Sequence, residues 1–63
     1  MKEIITLKEL SSYLKVSISE IRKLVRQKDI PYFRIGNRLH FDIKKINLWV
    51  ENLEKNEERK FMF

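Results

Sequence analysis

The stretch Val16–Lys28, VSISEIRKLVRQK, predicts the element around which the rest of the chain is organised. Ser17 followed three residues later by Glu20 is a capping-box sequence, in which each side chain can accept a hydrogen bond from a backbone N–H at a helix start. The apolar residues then recur at helical spacing and predict one buried stripe, made of Ile18, Ile21, Leu24 and Val25. The stretch therefore predicts a short amphipathic helix that begins after Ser17.

Another face of this predicted helix is mostly basic. Its members stand three, four and seven positions apart and so share one side of a helix: Ser19, Arg22, Lys23 and Arg26. A helix with an apolar back and a cationic front fits the major groove of DNA, which is about 12 Å wide and admits one helix. Arginine can bridge to guanine or pair with phosphate through its forked guanidinium. The alternative is a solvated surface helix, which is the commoner meaning of an isolated run of charge.

The placement of charge along the chain favours the nucleic-acid interpretation. The formal net charge is +5; residues 1–21 sum to zero, residues 22–45 to +6 and residues 46–63 to −1. Concentrated positive charge is the electrostatic footprint of a protein that binds a polyanion. A membrane surface is the competing polyanion, but no predicted helix pairs a strongly basic face with exposed Trp or Phe.

Length and composition limit what else the chain can be. Its 63 residues predict one domain with a small core. It has no cysteine, so no disulfide or cysteine-based metal site can assist, and the single histidine, His40, cannot build a zinc site alone. We therefore expect no cofactor and no metal. No apolar run approaches the roughly 20 residues that span a membrane, and a signal-peptide core is lacking, so an intracellular protein is expected.

A second capping box, Thr6–Glu9, predicts an earlier helix over about residues 7–14. Ile5 and Leu10 stand at the positions of a hydrophobic staple around this cap. The predicted buried stripe of this helix consists of Leu7, Leu10, Tyr13 and Leu14. About three residues connect this helix to the next cap, and two helices joined so closely form a helix-turn-helix. Its turn has Lys15 where a glycine is common.

A β-hairpin is predicted over Tyr32–Phe41, where two aromatic and β-branched runs flank Gly36-Asn37. The loop length decides which side chains share a face. A two-residue loop splits the apolar set, because it groups Phe33, Ile35, Arg38 and His40. A three-residue loop over residues 36–38 gathers the apolar set on one inward face, made of Phe33, Ile35, Leu39 and Phe41. We favour the three-residue loop for this reason.

With either loop, four polar side chains lie at the hairpin tip or on its exposed face: Arg34, Asn37, Arg38 and His40. A hairpin that directs arginine at phosphates or into a minor groove is a wing. The basic helix before it should end near Lys28 or Asp29, because Pro31 disfavours helical geometry at Ile30.

Asp42 is predicted to cap a third helix that runs from Ile43 to about residue 57 or 58. Its predicted apolar face consists of Ile43, Ile46, Trp49, Val50 and Leu53. Trp49 is expected to be the largest anchor of the core, and the acidic outer surface should face away from DNA. The chain ends in Phe61-Met62-Phe63, either a frayed or folded-back end or a contact for a neighbouring protomer or partner protein.

These parts, in this order, resemble the excisionase family of small bacterial and phage DNA-binding proteins, whose winged-helix fold is similar to the DNA-binding domain of MerR-type regulators. The resemblance covers residues 4–53 and is carried by TLKELSSYL, KVSISEIRKLV, IPYFRIGNRLHFD and the following IxxIxxW. It implies recognition-helix contacts to the major groove from Ser17, Ser19, Arg22, Lys23 and Arg26. It also implies Arg34 and Arg38 on the wing, whereas His40 stands where a basic residue is common.

The expected fold is mainly α with a small β-hairpin, a winged helix-turn-helix domain over residues 1–56 followed by a tail, 57–63. No catalytic constellation is visible, so an enzyme is not expected. The preferred function is that of an excisionase, or recombination directionality factor, of a phage or mobile element: a sequence-specific duplex-DNA binder and architectural partner of an integrase. It would act in the bacterial cytoplasm, on the nucleoid.

Two other functions stay open. A small MerR-like transcription regulator, most simply a repressor, would use the same fold and the same contacts. A protein-interaction adaptor would instead present the basic face to an acidic partner. Because one domain this small covers limited DNA surface, useful affinity should need several copies side by side, and Phe61, Met62 and Phe63 are candidates for the contact between copies.

Overall fold

A computed structural model describes residues 3–61 of the chain, with side chains described for residues 3–56. The elements in chain order are β1 (Ile4–Thr6), α1 (Leu7–Leu14), α2 (Ile18–Arg26), β2 (Phe33–Ile35), β3 (Arg38–Asp42) and α3 (Ile43–Phe61). Helices α1 and α2 form the helix-turn-helix, β2 and β3 form the wing, and β1 completes an antiparallel sheet of order β1-β3-β2. The predicted winged helix-turn-helix is confirmed. The predicted contact through Phe61, Met62 and Phe63 lies outside the side chains that the structure describes.

Helix α1 begins with the predicted capping box. The Thr6 hydroxyl accepts a hydrogen bond from the Glu9 backbone N–H at 3.2 Å, and the Thr6 N–H donates to Glu9 Oε1 at 2.9 Å. Ile5 and Leu10, the two staple residues, are both buried. Because Thr6 is also the last residue of β1, this cap ties the helix start directly to the sheet.

The capping box gives the fold a testable dependence on pH. Hydrogen bonds from the backbone and side chain of Thr6 hold the pKa of Glu9 below its ordinary value. Since the folded-state pKa is lowered, the stabilisation is complete above the unfolded value of 4.5 and is lost as the pH falls through the lowered pKa. Thermal melts of the parent and of Glu9→Gln should therefore differ at neutral pH, with the parent more stable, and converge in acid. A difference that stayed constant down to about pH 3 would contradict this assignment.

Helix α2 begins at a serine cap and is ended by a left-handed residue just after it. Ser17 provides half of its predicted capping box, with its hydroxyl accepting from the Glu20 N–H at 3.2 Å. Among the described residues, the reciprocal bond from the Ser17 N–H to the Glu20 carboxylate is absent. The helix ends at Arg26, two or three residues before the predicted end, because Lys28 takes a left-handed conformation with φ 57°. The N–H groups of residues 28 and 29 then close a Schellman turn on the carbonyls of residues 25 and 24, at 3.0 and 2.9 Å.

The turn of the helix-turn-helix uses a lysine in a glycine-like conformation. Lys15 has φ 57° and ψ 43°, the left-handed region that a helix end commonly fills with glycine. The Val16 N–H donates to the Ser11 carbonyl at 3.2 Å, and the Ser11 hydroxyl donates to the Val16 carbonyl at 2.6 Å. These two bonds fix the turn despite the side chain at residue 15, so the missing glycine does not change the motif.

We expect Lys15→Gly to stabilise the protein. Glycine removes the steric cost of the left-handed conformation, which outweighs its larger loss of backbone entropy, for a net gain of about 0.5–1 kcal/mol. Urea denaturation measures this gain. Lys15→Ala is the matched control, because it removes the same charge but keeps the Cβ, and it should not be stabilised. Equal stability of the glycine and alanine variants would show that the turn is not strained.

The wing has a different register from the one predicted. In the structure Phe33 pairs with His40, Arg34 with Leu39 and Ile35 with Arg38. The loop is therefore the two residues Gly36-Asn37, and the three-residue loop is wrong. Gly36 has φ 63°, while Asn37 is not among the residues with positive φ, the pattern of a type II′ hairpin turn.

This register divides the hairpin side chains between its faces, because directly paired residues share a face. Leu39 and Phe41 point to the core with Ile5 of the paired strand β1. Phe33 and Ile35, predicted to face inward, lie instead on the outer face and are 37% and 57% exposed. The prediction failed because it required all the apolar residues to be buried together, whereas the turn holds the two on β2 outside.

The core is centred on Phe41 rather than on Trp49. Seven apolar residues are buried: Ile5, Leu10, Ile21, Val25, Ile30, Phe41 and Ile46, and Phe41 is the largest that is fully buried. Trp49 is half-buried at the edge of this cluster, where its Nε1–H donates to the Asp29 carbonyl at 2.6 Å. Trp49 therefore joins α3 to the loop after α2. Tyr13, predicted to be buried, is 51% exposed and donates its hydroxyl proton to Asn47 Oδ1 at 2.7 Å.

Helix α3 begins at the predicted cap and continues beyond its predicted end. Asp42 is buried, and its Oδ1 accepts from the Lys44 N–H at 3.0 Å. The helix reaches Phe61, and every residue over 51–56 is exposed, including Leu53 of the predicted apolar face. Over residues 43–56, it is therefore the first two turns of α3 that pack on the core. Within the part of the chain that the structure describes, no helix has the length and apolar character needed to cross a membrane.

Candidate nucleic-acid interface

Helix α2 and the wing border one open groove, which we call the basic groove. It is lined by residues of β1, α1, α2 and the wing: Thr6, Leu7, Lys8, Ile18, Ser19, Arg22, Val25, Arg26, Arg34, Asn37, Arg38, Leu39 and His40. Five of these residues are permanently cationic, and among the residues that the structure describes none that lines the groove is a carboxylate. A polyanion in this groove would meet positive charge from several elements at once.

The helical repeat places the cations of α2 in the groove. Ile21 and Val25 are buried and anchor the helix to the core, so each fixes the orientation of the residue that follows it. Arg22 and Arg26 stand one turn apart on an exposed face and both line the groove, with Ser19 one turn before them. The burial of Ile21 and Val25 therefore fixes the orientation of the predicted basic face of α2.

The wing contributes cations from both of its faces. Arg34 is paired with Leu39 and so lies on the core-facing side of the hairpin, while Arg38 lies on the other side, opposite Ile35. Both arginines are exposed and both line the basic groove. Asn37, in the turn, lines it as well.

His40 has a defined position next to these arginines. Its ring stacks on Phe33, with the ring centroids 6.1 Å apart and the planes at 30°. Its Nδ1 lies 3.2 Å from the Arg38 carbonyl oxygen, and across the sheet it pairs with Thr6. These neighbours hold the imidazole at the wall of the basic groove, which His40 lines.

Two of the predicted contact residues do not line the basic groove. Ser17 uses its hydroxyl to cap α2, and Lys23 is exposed on α2 outside the groove lining. Conversely, Lys8 of α1 lines the groove and was not predicted to belong to the site. Lys8 stands in the neutral first third of the sequence, and only the folding of α1 against the sheet brings it to the wing, so no local signal could have identified it.

The acidic part of the chain is placed elsewhere. Within residues 43–56 of α3, none lines the basic groove, and Glu51 and Glu54 are exposed on the part of α3 that leaves the core. The basic and acidic surfaces are therefore separate. Among residues 3–56, no group of three His, Cys, Asp or Glu side chains is placed to hold a metal ion.

Comparison with known proteins agrees with this geometry. A search of curated proteins and a search of solved structures each gave no match. A family model described as a helix-turn-helix domain matches residues 4–54, which includes every element except the far end of α3. The groove and the matched model both indicate a DNA-binding helix-turn-helix protein. The chain belongs to the excisionase-like family of helix-turn-helix domains.

Proposed function

We propose that the basic groove is the surface that holds duplex DNA, with α2 in the major groove and the wing on the adjacent backbone. The observation that carries this proposal is the shared lining: Arg22 and Arg26 of α2 and Arg34 and Arg38 of the wing border one concavity. Helix α2 has nine residues and is about 13 Å long, which is a suitable length for a recognition helix. A single duplex can then contact both elements.

The contacts divide into two kinds. The N-terminal part of a recognition helix reaches base edges. Ser19, in the first turn of α2, and Arg22, one turn further on, are therefore the proposed base readers. Arg26 and the wing arginines face the phosphate backbone and set the register of the protein on the duplex, with Asn37 and His40 beside them. Ser17 and Lys23, outside the groove, would contact at most the flanking phosphates.

The proposed biological role is that of an excisionase of a phage or mobile element. Membership of the excisionase-like family supports it, as does a small domain in which α2 and the wing share one basic groove. In this role the protein would bind as several copies near an attachment site, in the bacterial cytoplasm. It would bend or coat the DNA so that an integrase recombines it in the direction of excision. The protein would supply binding and DNA shape, not catalysis.

Binding of labelled duplex DNA, followed by fluorescence anisotropy at low and moderate salt, tests the first part of the proposal. We expect binding to random duplex that weakens steeply as salt rises, and tighter binding to a subset of genomic fragments. An absence of binding even at low salt would refute the DNA-binding proposal and favour the protein-interaction adaptor.

An excision assay tests the second part. Plasmids carrying the recombined attachment sites, an integrase of the same mobile element and either the parent protein or an empty vector should give excised product only with the parent. A promoter fusion to the bound genomic fragments is the companion experiment. Repression of the promoter without any stimulation of excision would replace the excisionase role with that of a transcription regulator.

A further inference from the structure

The basic groove has a wall that neither the recognition helix nor the wing supplies. Thr6, Leu7 and Lys8, at the junction of β1 and α1, line the groove together with Arg38 and His40. Lys8 is exposed and is the one cation of α1 in this lining. A duplex that fills the groove would therefore run past the start of α1 as well as past α2 and the wing.

The fold explains why Lys8 reaches the wing. Thr6 pairs with His40 between β1 and β3, so the start of α1 is attached directly to the central strand of the sheet. Lys8 follows two residues later, and Arg38 precedes His40 by two residues on β3. Because the two strands are antiparallel, both steps lead toward the same end of this pairing, so the two cations reach the groove from adjacent segments of the chain.

The carboxylate next to Lys8 in the sequence, that of Glu9, accepts a hydrogen bond in the cap of α1. Glu9 accepts the Thr6 N–H at 2.9 Å and does not line the basic groove. Its pKa is lowered mainly by hydrogen bonds with Thr6, with His40 making a smaller contribution. Glu9 keeps its negative charge, but Lys8 and Arg38 outnumber it, so this corner of the groove is net positive.

We propose that Lys8 and Arg38 together clamp one DNA phosphate, so that α1 is a third DNA-contacting element. The proposal rests on the proposed DNA binding and adds a contact that the recognition helix and wing do not provide. A lysine–phosphate contact is independent of base sequence, so the clamp sets the position of the domain on the duplex rather than its choice of site. Lys8 is thus a positioning contact.

The salt dependence of binding measures this contact. Each phosphate neutralised by a cation contributes about 0.9 to the slope of log affinity against log salt. Because Arg38 still faces the shared phosphate in Lys8→Gln, this variant should lower the slope by part of that amount. Lys8→Gln combined with Arg38→Gln should lower it by about 0.9 in all, so that the loss of affinity between roughly 50 and 200 mM salt becomes about 3.5-fold smaller than in the parent. Lys8→Arg keeps the charge and should retain the slope of the parent.

Lys55→Gln is the matched control, because it removes an equal charge from an exposed position on α3 outside the groove. It should leave the slope unchanged, and all variants should melt at the temperature of the parent. In a double-mutant cycle, Lys8→Gln combined with Arg38→Gln should lose less affinity than the sum of the single losses, since both residues hold one phosphate.

Several outcomes would overturn the clamp. If the parent binds DNA but Lys8→Gln has the slope of the parent, α1 does not contact the backbone, and the proposed function survives without the clamp. The same holds if Lys55→Gln lowers the slope as much as Lys8→Gln, or if the losses of Lys8→Gln and Arg38→Gln simply add. A parent that does not bind DNA at all removes the proposed function together with the clamp.

Discussion

Phe41→Ala is expected to lower the free energy of unfolding by about 3–5 kcal/mol, enough to unfold a large share of so small a domain. The ring is fully buried at the centre of the core, where β3 meets the helices. Truncation removes the apolar contacts of the ring and leaves a cavity that the surrounding helices and strands can fill only in part. Urea or thermal denaturation followed by circular dichroism measures the loss.

Phe33→Ala is the matched control for Phe41→Ala. It deletes the same ring from the same sheet, but Phe33 lies on the outer face, so we expect a loss below about 1 kcal/mol. The pair also tests the two-residue loop, because a three-residue loop would bury both rings on the same face. Losses of equal size in the two variants would contradict the register described here.

Arg22→Ala is expected to weaken binding to a specific DNA site by about 1–3 kcal/mol, or roughly 5- to 150-fold. Arg22 lines the basic groove in the middle of α2, where we propose that it reads a base edge, and its loss should also relax the preference for one base pair. Arg26→Ala should weaken binding to all sequences more uniformly, because a phosphate contact carries no base information. Competition titrations with the specific site and with random duplex separate the two effects.

Lys23→Ala is the control for the groove assignment. Lys23 is adjacent to Arg22 on the same helix and is equally charged, but it does not line the basic groove. We expect its loss to weaken binding less than that of Arg22. If Lys23→Ala weakened specific binding more than Arg22→Ala, the face of α2 that meets DNA would have to be reassigned.

The helices were predictable because their signals are local. The cap at Thr6 and Glu9, the cap at Ser17 and the cap at Asp42 each act within one turn of the helix that they start, so the helix starts could be predicted correctly. The end of α1 at Leu14 was also predicted, whereas α2 ends earlier than predicted and α3 ends later. Lys28, just after α2, adopts a left-handed conformation that sequence normally signals by glycine.

The hairpin register and the composition of the core could not be predicted in the same way, because they depend on contacts between distant segments. Pairing with β1 places Ile5 beside Phe41 and leaves Phe33 on the outer face, which the apolar pattern of the hairpin alone did not indicate. Trp49 is larger than Phe41, but the position of α3 leaves it at the edge.

The basic groove contains residues that could be predicted from sequence and one that could not. Arg22 and Arg26 were predictable from helical spacing, and the wing arginines from the hairpin. Lys8 was not, because its place at the groove depends on the pairing of β1 with β3. Side chains contributed by a single element can be identified from spacing, whereas a wall built by a third element requires the assembled fold.

The central claim is that α2 and the wing contact one duplex at the same time, and amide chemical shifts measured during a titration with a short duplex test it most directly. We expect the backbone resonances of α2 and of the β2–β3 hairpin to shift together with a single Kd, while those of residues 51–56 on α3 stay in place. Shifts confined to α2 or to the hairpin, or shifts centred on the exposed half of α3, would contradict the account.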